Sequence, residues 1–429
     1  MFIKEGSIMN QYIVNGGKKL YGEVEIDGCK NALLPILAAS ICTNKKIILN
    51  NCPNILDREV AINILKNIGA KIEIFKKQII IETKNINKYT LPSNMVCLMR
   101  SSIIFMGAIL SRFGKASASF PGGCNLGARP IDLHLNGFRS LGIDIKEENG
   151  DILCYADNIV GNKIKLNFPS VGATQNIILA SIFAKGETII ENAAKEPEII
   201  DFCNFLRLLG AKIKGDGSYI IIIKGIDKKA LEEDGTIEYT IMPDRIIAGT
   251  YMIAAAITKG NVRLNNIEPL HISSVISNIS RIGANISIGS DWLEINMKER
   301  PRAIKYIKTM PYPGFPTDIQ PQMMALLSVA KGKSVIFESI FESRNKHVLE
   351  LKKLGADIMQ EGQRFIINGK NNLNPFEVFS RDLRGGAALI IASLSIDGKS
   401  VIKDNNHIRR GYESIEFDLK KLGADINLI

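Results

Sequence analysis

Apolar and polar positions along the 429 residues fall into one unit written six times. In each copy an amphipathic stretch ends in Ile-Gly or Leu-Gly and runs into an alternating segment. The copies are NIGAKIEIF (67–75), SLGIDIKE (140–147), LLGAKIKG (208–215), RIGANISI (281–288), KLGADIMQ (353–360) and KLGADINLI (421–429). Their glycines, Gly69, Gly142, Gly210, Gly283, Gly355 and Gly423, are spaced 73, 68, 73, 72 and 68 residues apart. Glycine is the residue that most cheaply takes the left-handed backbone just past a helix end. The alternation that follows it predicts a half-buried strand.

A second series runs in phase with the first. GCKNALLPILAAS, RSSIIFMGAILS, SVGATQNIILASIFA, DRIIAGTYMIAAAIT, TDIQPQMMALLSVA and DLRGGAALIIASLSI begin at Gly28, Arg100, Ser170, Asp244, Thr317 and Asp382. They are apolar on nearly every face, which predicts buried helices. The period exceeds the roughly 20–50 residues of common solenoid repeats, so each copy reads as a small α/β module. Three modules per domain, inner helices packed together and sheets outside, is the expected α/β architecture. The acidic, glycine-containing stretch LEEDGTIEY (231–239) marks the boundary after the third module.

Composition narrows the function. Hydrophobic residues make up 46% and charged residues 23%, ordinary for a globular protein. No apolar run approaches the roughly 18 residues of a membrane span, so no membrane partner is expected. The opening MFIKEGSIMNQY lacks the apolar stretch of a secretory signal. Seven cysteines, odd in number and without CxxC spacing, argue against a disulfide framework or zinc cluster and for a cytoplasmic setting. Four scattered histidines argue against a histidine-ligated metal. The formal charge of +10 suits anionic partners, but no Lys/Arg block with interleaved aromatics is present. Small anionic substrates are therefore expected ahead of nucleic acid.

Two features carry candidate chemistry. Lys30, Arg100, Arg245 and Arg384 sit in the first turns of buried helices, where a cation opposes the macrodipole by a few tenths to about 1 kcal/mol. Four such residues suggest an expected anion, since helix N-termini also offer free N–H groups to phosphate and carboxylate. Cations simply solvated at the surface are the alternative. The second feature is PGGCNLGARPIDLHL (121–135), where three glycines surround Cys124 and Arg129 is braced by Pro130. Glycine at that density suits neither helix nor strand and reads as a loop delivering a thiol and a guanidinium to one place.

These stretches, with MRSSIIFMGAIL, PSVGATQN, MPDR, PGFPTDIQPQ, FESRNKH and RRGYESIE, resemble the enolpyruvyl transferase family over essentially the whole chain. The resemblance implies a two-domain inside-out α/β barrel. Residues 1–29 with 242–429 would hold the catalytic base and carboxylate site, and 30–241 the Cys124 loop and nucleotide-sugar contacts. The active site would lie in the cleft between them. The implied reaction moves the enolpyruvyl group of phosphoenolpyruvate to the 3′-hydroxyl of UDP-N-acetylglucosamine by addition and elimination, the first committed step of peptidoglycan synthesis. No cofactor or metal is implied, and no oligomeric state follows.

By the same resemblance Cys124 donates a proton to the enol methylene and is the target of fosfomycin. Lys30, Arg129 and Arg410 match the phosphate-side cations, and Arg344 and Arg384 the pair that grips the carboxylate, where planar guanidinium forks suit bidentate contact. Asp318 matches the carboxylate against the sugar hydroxyl, as base or as positioning group; a plain helix cap is its alternative. Asn31, Arg100, Arg129 and Ile340 match positions near the sugar or diphosphate. Pro130, Ile131, Asp132 and Leu133 match the uracil-lining run, and Ser170, Val171 and Gly172 the diphosphate turn. Asp57 resembles a carboxylate beside the first lysine. Asn345, Lys346, Arg409 and Ile247 depart from the family's usual pattern. Transfer to shikimate 3-phosphate, or a weakly catalytic nucleotide-sugar-binding regulator, are the competing functions.

Overall fold

The computed structural model describes residues 9–120, 131–148 and 150–429. Cys124, Arg129 and Pro130 lie outside the described residues. The chain divides into two compact units, one containing the stretch up to Asp27 and the stretch from Pro243 to Ile429, the other starting at Gly28 and ending at Met242.

In the Gly28–Met242 unit the inner helices are Lys30–Ala39, Ile104–Phe113 and Val171–Ser181. They pack on one another and bury almost every residue. Gly107 is why the second and third approach so closely. A Cβ there would lie 2.4 Å from the carbonyl oxygen of Asn176. The other unit repeats the arrangement with Arg245–Ile257, Gln320–Leu327 and Leu383–Leu394. The expected α/β modules with buried helices are thus present in both. All six module glycines have positive φ, from 79° at Gly142 to 111° at Gly69 and Gly283, and each follows a helix that the chain leaves by a tight left-handed turn.

Each module adds one sheet. In the usual order an edge strand runs parallel to the central strand, which pairs in turn with an antiparallel hairpin, as in Ile307–Lys308, Lys333–Phe337, Arg364–Asn368 and Asp357–Glu361. Among the described residues the sheet of Lys115–Ser119, Asp151–Tyr155 and Asp144–Glu148 has a single parallel bridge, Thr90 to Ser117, where the edge strand would run.

Distant strands close both units. Thr236–Thr240 returns to lie parallel to Lys46–Asn50, completing the first module's sheet. In the other unit Tyr21–Glu25 lies parallel to Asn261–Asn265. Asn10–Asn15 sits between Lys399–Asp404 and Asp425–Leu428, so the sixth module takes its last strand from the start of the chain. The last closure holds Asn10–Asn15 and Asp425–Leu428 in one sheet.

Candidate active site

In the Pro243–Ile429 unit, PGFPTD ends in a short 3-10 turn, Thr317–Ile319, that opens the helix Gln320–Leu327. It presents Asp318 to two arginines. Arg344 Nη1 donates to Asp318 Oδ1 at 2.7 Å, and Arg384 Nη2 donates to Oδ2 at 3.0 Å. Both guanidiniums are buried, while the Asp318 side chain is 25% exposed. Arg384 is aimed from the first turn of Leu383–Leu394, whose N-cap, Asp382, accepts the N–H groups of Arg384 and Gly385. Its guanidinium carbon lies 5.9 Å from the ring centre of Tyr412, whose hydroxyl is within 2.8 Å of Thr250 Oγ1. Arg344 lies over Phe341 at 4.8 Å.

Burial pushes the Asp318 carboxyl up, but Arg384 and Arg344 outweigh it and hold it well below the usual carboxylate range. It is therefore ionised with both oxygens engaged, a good hydrogen-bond acceptor and a weak base. Among the described residues Arg344 Nε and Arg384 Nη1 are buried and have no hydrogen-bond partner. Two guanidiniums with spare buried donors beside one carboxylate can accept a second.

A turn missed at the level of sequence supports this group. Glu338, buried at the end of Lys333–Phe337, accepts the N–H groups of Ile340 and Phe341 and the hydroxyls of Thr309 and Thr317. FESIFESR holds two glutamates, Glu338 and Glu342, and nothing local says that the first is buried and the second exposed. Arg410 lies on the turn Ile408–Arg410, which Asp404 fixes by accepting the N–H groups of His407 and Ile408. Arg409 is exposed, and its charge acts on Tyr12. Ile247 is buried in the inner helix.

In the Gly28–Met242 unit Lys30 opens its helix and is paired with Asp57 at 2.7 Å, both side chains largely buried. A second cluster joins Arg100, His134 and the Ser170–Gly172 turn. Ser170 caps the third inner helix by accepting from Ala173 N, and a Cβ on Gly172 would lie 3.4 Å from His134 Nε2. Asn176 sets the histidine tautomer. Its Oδ1 accepts from Gly107 N, so Nδ2 faces Ile103 O and His134 Nδ1. Nδ1 accepts, leaving the proton on Nε2 beside the turn. Burial, with the Arg100 charge, pushes His134 down to about 3, so the ring is neutral. Ile131 caps the helix Asp132–Ser140, with Asp132 exposed and Leu133 half-buried. His134 was also missed by sequence reasoning, although it follows directly on the run expected to line uracil. Among the described residues no group of three or more His, Cys, Asp or Glu is placed to hold a metal.

Residues 14–419 match the family described as EPSP synthase (3-phosphoshikimate 1-carboxyvinyltransferase). The chain belongs to the EPSP synthase family. Within that family it is 46% identical to UDP-N-acetylglucosamine 1-carboxyvinyltransferase 2 of Caldanaerobacter subterraneus, over 97% of this chain and 99% of the relative. It is also 46% identical to UDP-N-acetylglucosamine 1-carboxyvinyltransferase 1 of Clostridium acetobutylicum, over 98% and 100%. The fold is shared with the enolpyruvyl transferase NikO from Streptomyces tendae, at a TM-score of 0.88 and 23% identity over 98% of this chain and 99% of that one. It is shared with an EPSP synthase from Acinetobacter baumannii at 0.75 and 19%, over 98% and 100%. No helix among the described residues is long and apolar enough to cross a membrane.

Proposed function

We propose that the chain transfers the enolpyruvyl group of phosphoenolpyruvate to the 3′-hydroxyl of UDP-N-acetylglucosamine, releasing phosphate. The observation that carries this reading is the identity of 46% along essentially the whole length to carboxyvinyltransferases named for that acceptor. Likeness to an EPSP synthase structure is 19% in sequence. The acceptor is therefore the nucleotide sugar and not shikimate 3-phosphate.

The residues fit the chemistry. Phosphoenolpyruvate carries a carboxylate and a phosphate. Arg344 and Arg384 take the carboxylate through their spare donors, and Lys30, Arg129 and Arg410 take the phosphate. The sugar 3′-hydroxyl, hydrogen-bonded to the ionised Asp318, passes its proton to that carboxylate as its oxygen bonds to C2, while the Cys124 thiol delivers a proton to C3 and becomes a thiolate. The tetrahedral intermediate then loses phosphate, which leaves with the proton held by Asp318, as C3 gives a proton back to the Cys124 thiolate and the double bond is restored. Arg100 and the Ser170–Gly172 turn offer the diphosphate a guanidinium, a helix N-terminus and nearby His134 Nε2–H. Asn31 and Ile340 contact the sugar, and Pro130 to Leu133 line the uracil. Such a chain would commit UDP-N-acetylglucosamine to peptidoglycan synthesis in the cytoplasm.

The test is phosphate release from phosphoenolpyruvate with each acceptor. Release with UDP-N-acetylglucosamine and none with shikimate 3-phosphate is expected. No release with either acceptor would leave only nucleotide-sugar binding and overturn the enzyme reading.

A further inference from the structure

Glu338 has no place in the transfer chemistry, yet its carboxylate is among the most heavily engaged in the molecule. It is buried to 1%. Oε1 accepts Thr309 Oγ1 at 2.9 Å, Ile340 N at 2.9 Å and Phe341 N at 3.2 Å, and Oε2 accepts Thr317 Oγ1 at 2.9 Å. Each of these partners can donate to a carboxylate oxygen. Thr317 passes the polarity on. Its single proton is committed to Glu338, so its lone pairs face Arg344 Nη1, which donates to Thr317 Oγ1 at 3.1 Å and to Asp318 Oδ1 at 2.7 Å. If the hydroxyl turned the other way, O–H would oppose N–H.

We propose that Glu338 is a positioning residue for the donor substrate. It clamps the Ser339–Phe341 turn that leads into Arg344, and through Thr317 it sets the direction in which that guanidinium points. The two functions reside in different oxygens of one carboxylate, so they can be separated. The proposal rests on the assignment of Arg344 to the phosphoenolpyruvate carboxylate.

Glu338→Gln separates them. The amide keeps one carbonyl oxygen for the Oε1 contacts and places an NH2 opposite Thr317, which can no longer donate there and is free to turn its proton toward Arg344. Thr317→Val removes the hydroxyl outright. Steady-state phosphate release by the full chain should show the KM for phosphoenolpyruvate rising about tenfold in each variant, the scale of one charge-assisted hydrogen bond. The KM for UDP-N-acetylglucosamine should stay within about twofold, amide exchange at Ile340 and Phe341 should be unchanged in Glu338→Gln, and the double variant should be no worse than the worse single. Both KM values rising together, or a phosphoenolpyruvate KM within twofold of wild type in both singles, would overturn the relay. A wild-type chain inactive toward UDP-N-acetylglucosamine would refute the acceptor assignment and not the relay. Calorimetric phosphoenolpyruvate binding then decides: about tenfold weaker in Glu338→Gln supports the relay, and unchanged affinity overturns it.

Discussion

Replacing Asp318 by asparagine removes the carboxylate that both Arg344 and Arg384 hold. Asparagine keeps one acceptor oxygen at the old distance and turns the other into an amine facing a guanidinium. Breaking a fully buried ion pair costs about 3–5 kcal/mol. Asp318 is 25% exposed, and water screens part of that loss, leaving about 2–3 kcal/mol. For a unit of this size the thermal midpoint should fall by about 5–10 °C. Because the folded carboxyl is depressed, its stabilisation is complete above a pH of about 4, so the deficit should be constant between about pH 5 and 8. The informative measurement is thermal denaturation at low salt, with and without phosphoenolpyruvate. In the wild type an incoming carboxylate competes with Asp318 for the same two guanidiniums; in the variant it meets no competitor. Phosphoenolpyruvate should therefore stabilise Asp318→Asn more than the wild type, the variant's own shift being about 2.7 kcal/mol at a hundredfold excess over its Kd. Equal stability of the two proteins, or an equal ligand shift in both, refutes the reasoning. The competition bears on catalysis too. Asp318 is a weak base while two guanidiniums hold it, and sharing them with a substrate carboxylate makes it a stronger one when the sugar hydroxyl has to react.

Three further outcomes follow from other residues. Cys124→Ala should abolish phosphate release and leave UDP-N-acetylglucosamine binding by calorimetry within about twofold; parallel loss of both would make the cysteine structural. Burial holds His134 at about 3 and His347 at about 4, against about 6.5 in the unfolded chain. The unfolded chain then binds more protons below a pH of about 6.5, so stability should drop between about pH 6.5 and 4, by about 2 kcal/mol per histidine at pH 5. Urea unfolding midpoints unchanged from pH 7 to 5 would contradict this. Gly28→Ala would place a Cβ 1.8 Å from the Asn51 carbonyl oxygen, forcing the backbone beside Lys30 to shift at a cost of about 1–3 kcal/mol. A midpoint equal to wild type would show that this contact yields freely.

The repeat was readable because its signals are local. A left-handed residue after a helix calls for glycine whatever the neighbours, and a helix apolar on all sides can only be interior. Strand partners carry no such mark. Asn10–Asn15 has the same alternation as many other strands, and its pairing of Asn10 with Asp404 is decided by which sheet lacks a strand. The same holds for Thr236–Thr240 against Lys46–Asn50. At the site, the types Asp318, Arg344 and Arg384 were legible and their mutual pairing was not, because it joins residues 26 and 66 positions apart. Glu338 and His134 look like surface residues of ordinary turns until the strand end and the helix crossing that bury them are in place.

The cations in helix first turns read as an invitation to an outside anion, and the structure shows that the chain answers part of it itself. Lys30 is met by Asp57 and Arg384 by Asp318. An internal carboxylate lets a cation remain buried and aimed in the absence of ligand, at the expense of competing with the ligand for it. Affinity for an outside carboxylate must then come from donors that the internal one does not use. Arg344 Nε and Arg384 Nη1 are such donors. Lysine has no rigid fork and arginine does, which explains why this pair is arginine. A guanidinium can hold Asp318 on one edge and still present N–H groups on another, so substrate binding can begin before the internal ion pair is broken.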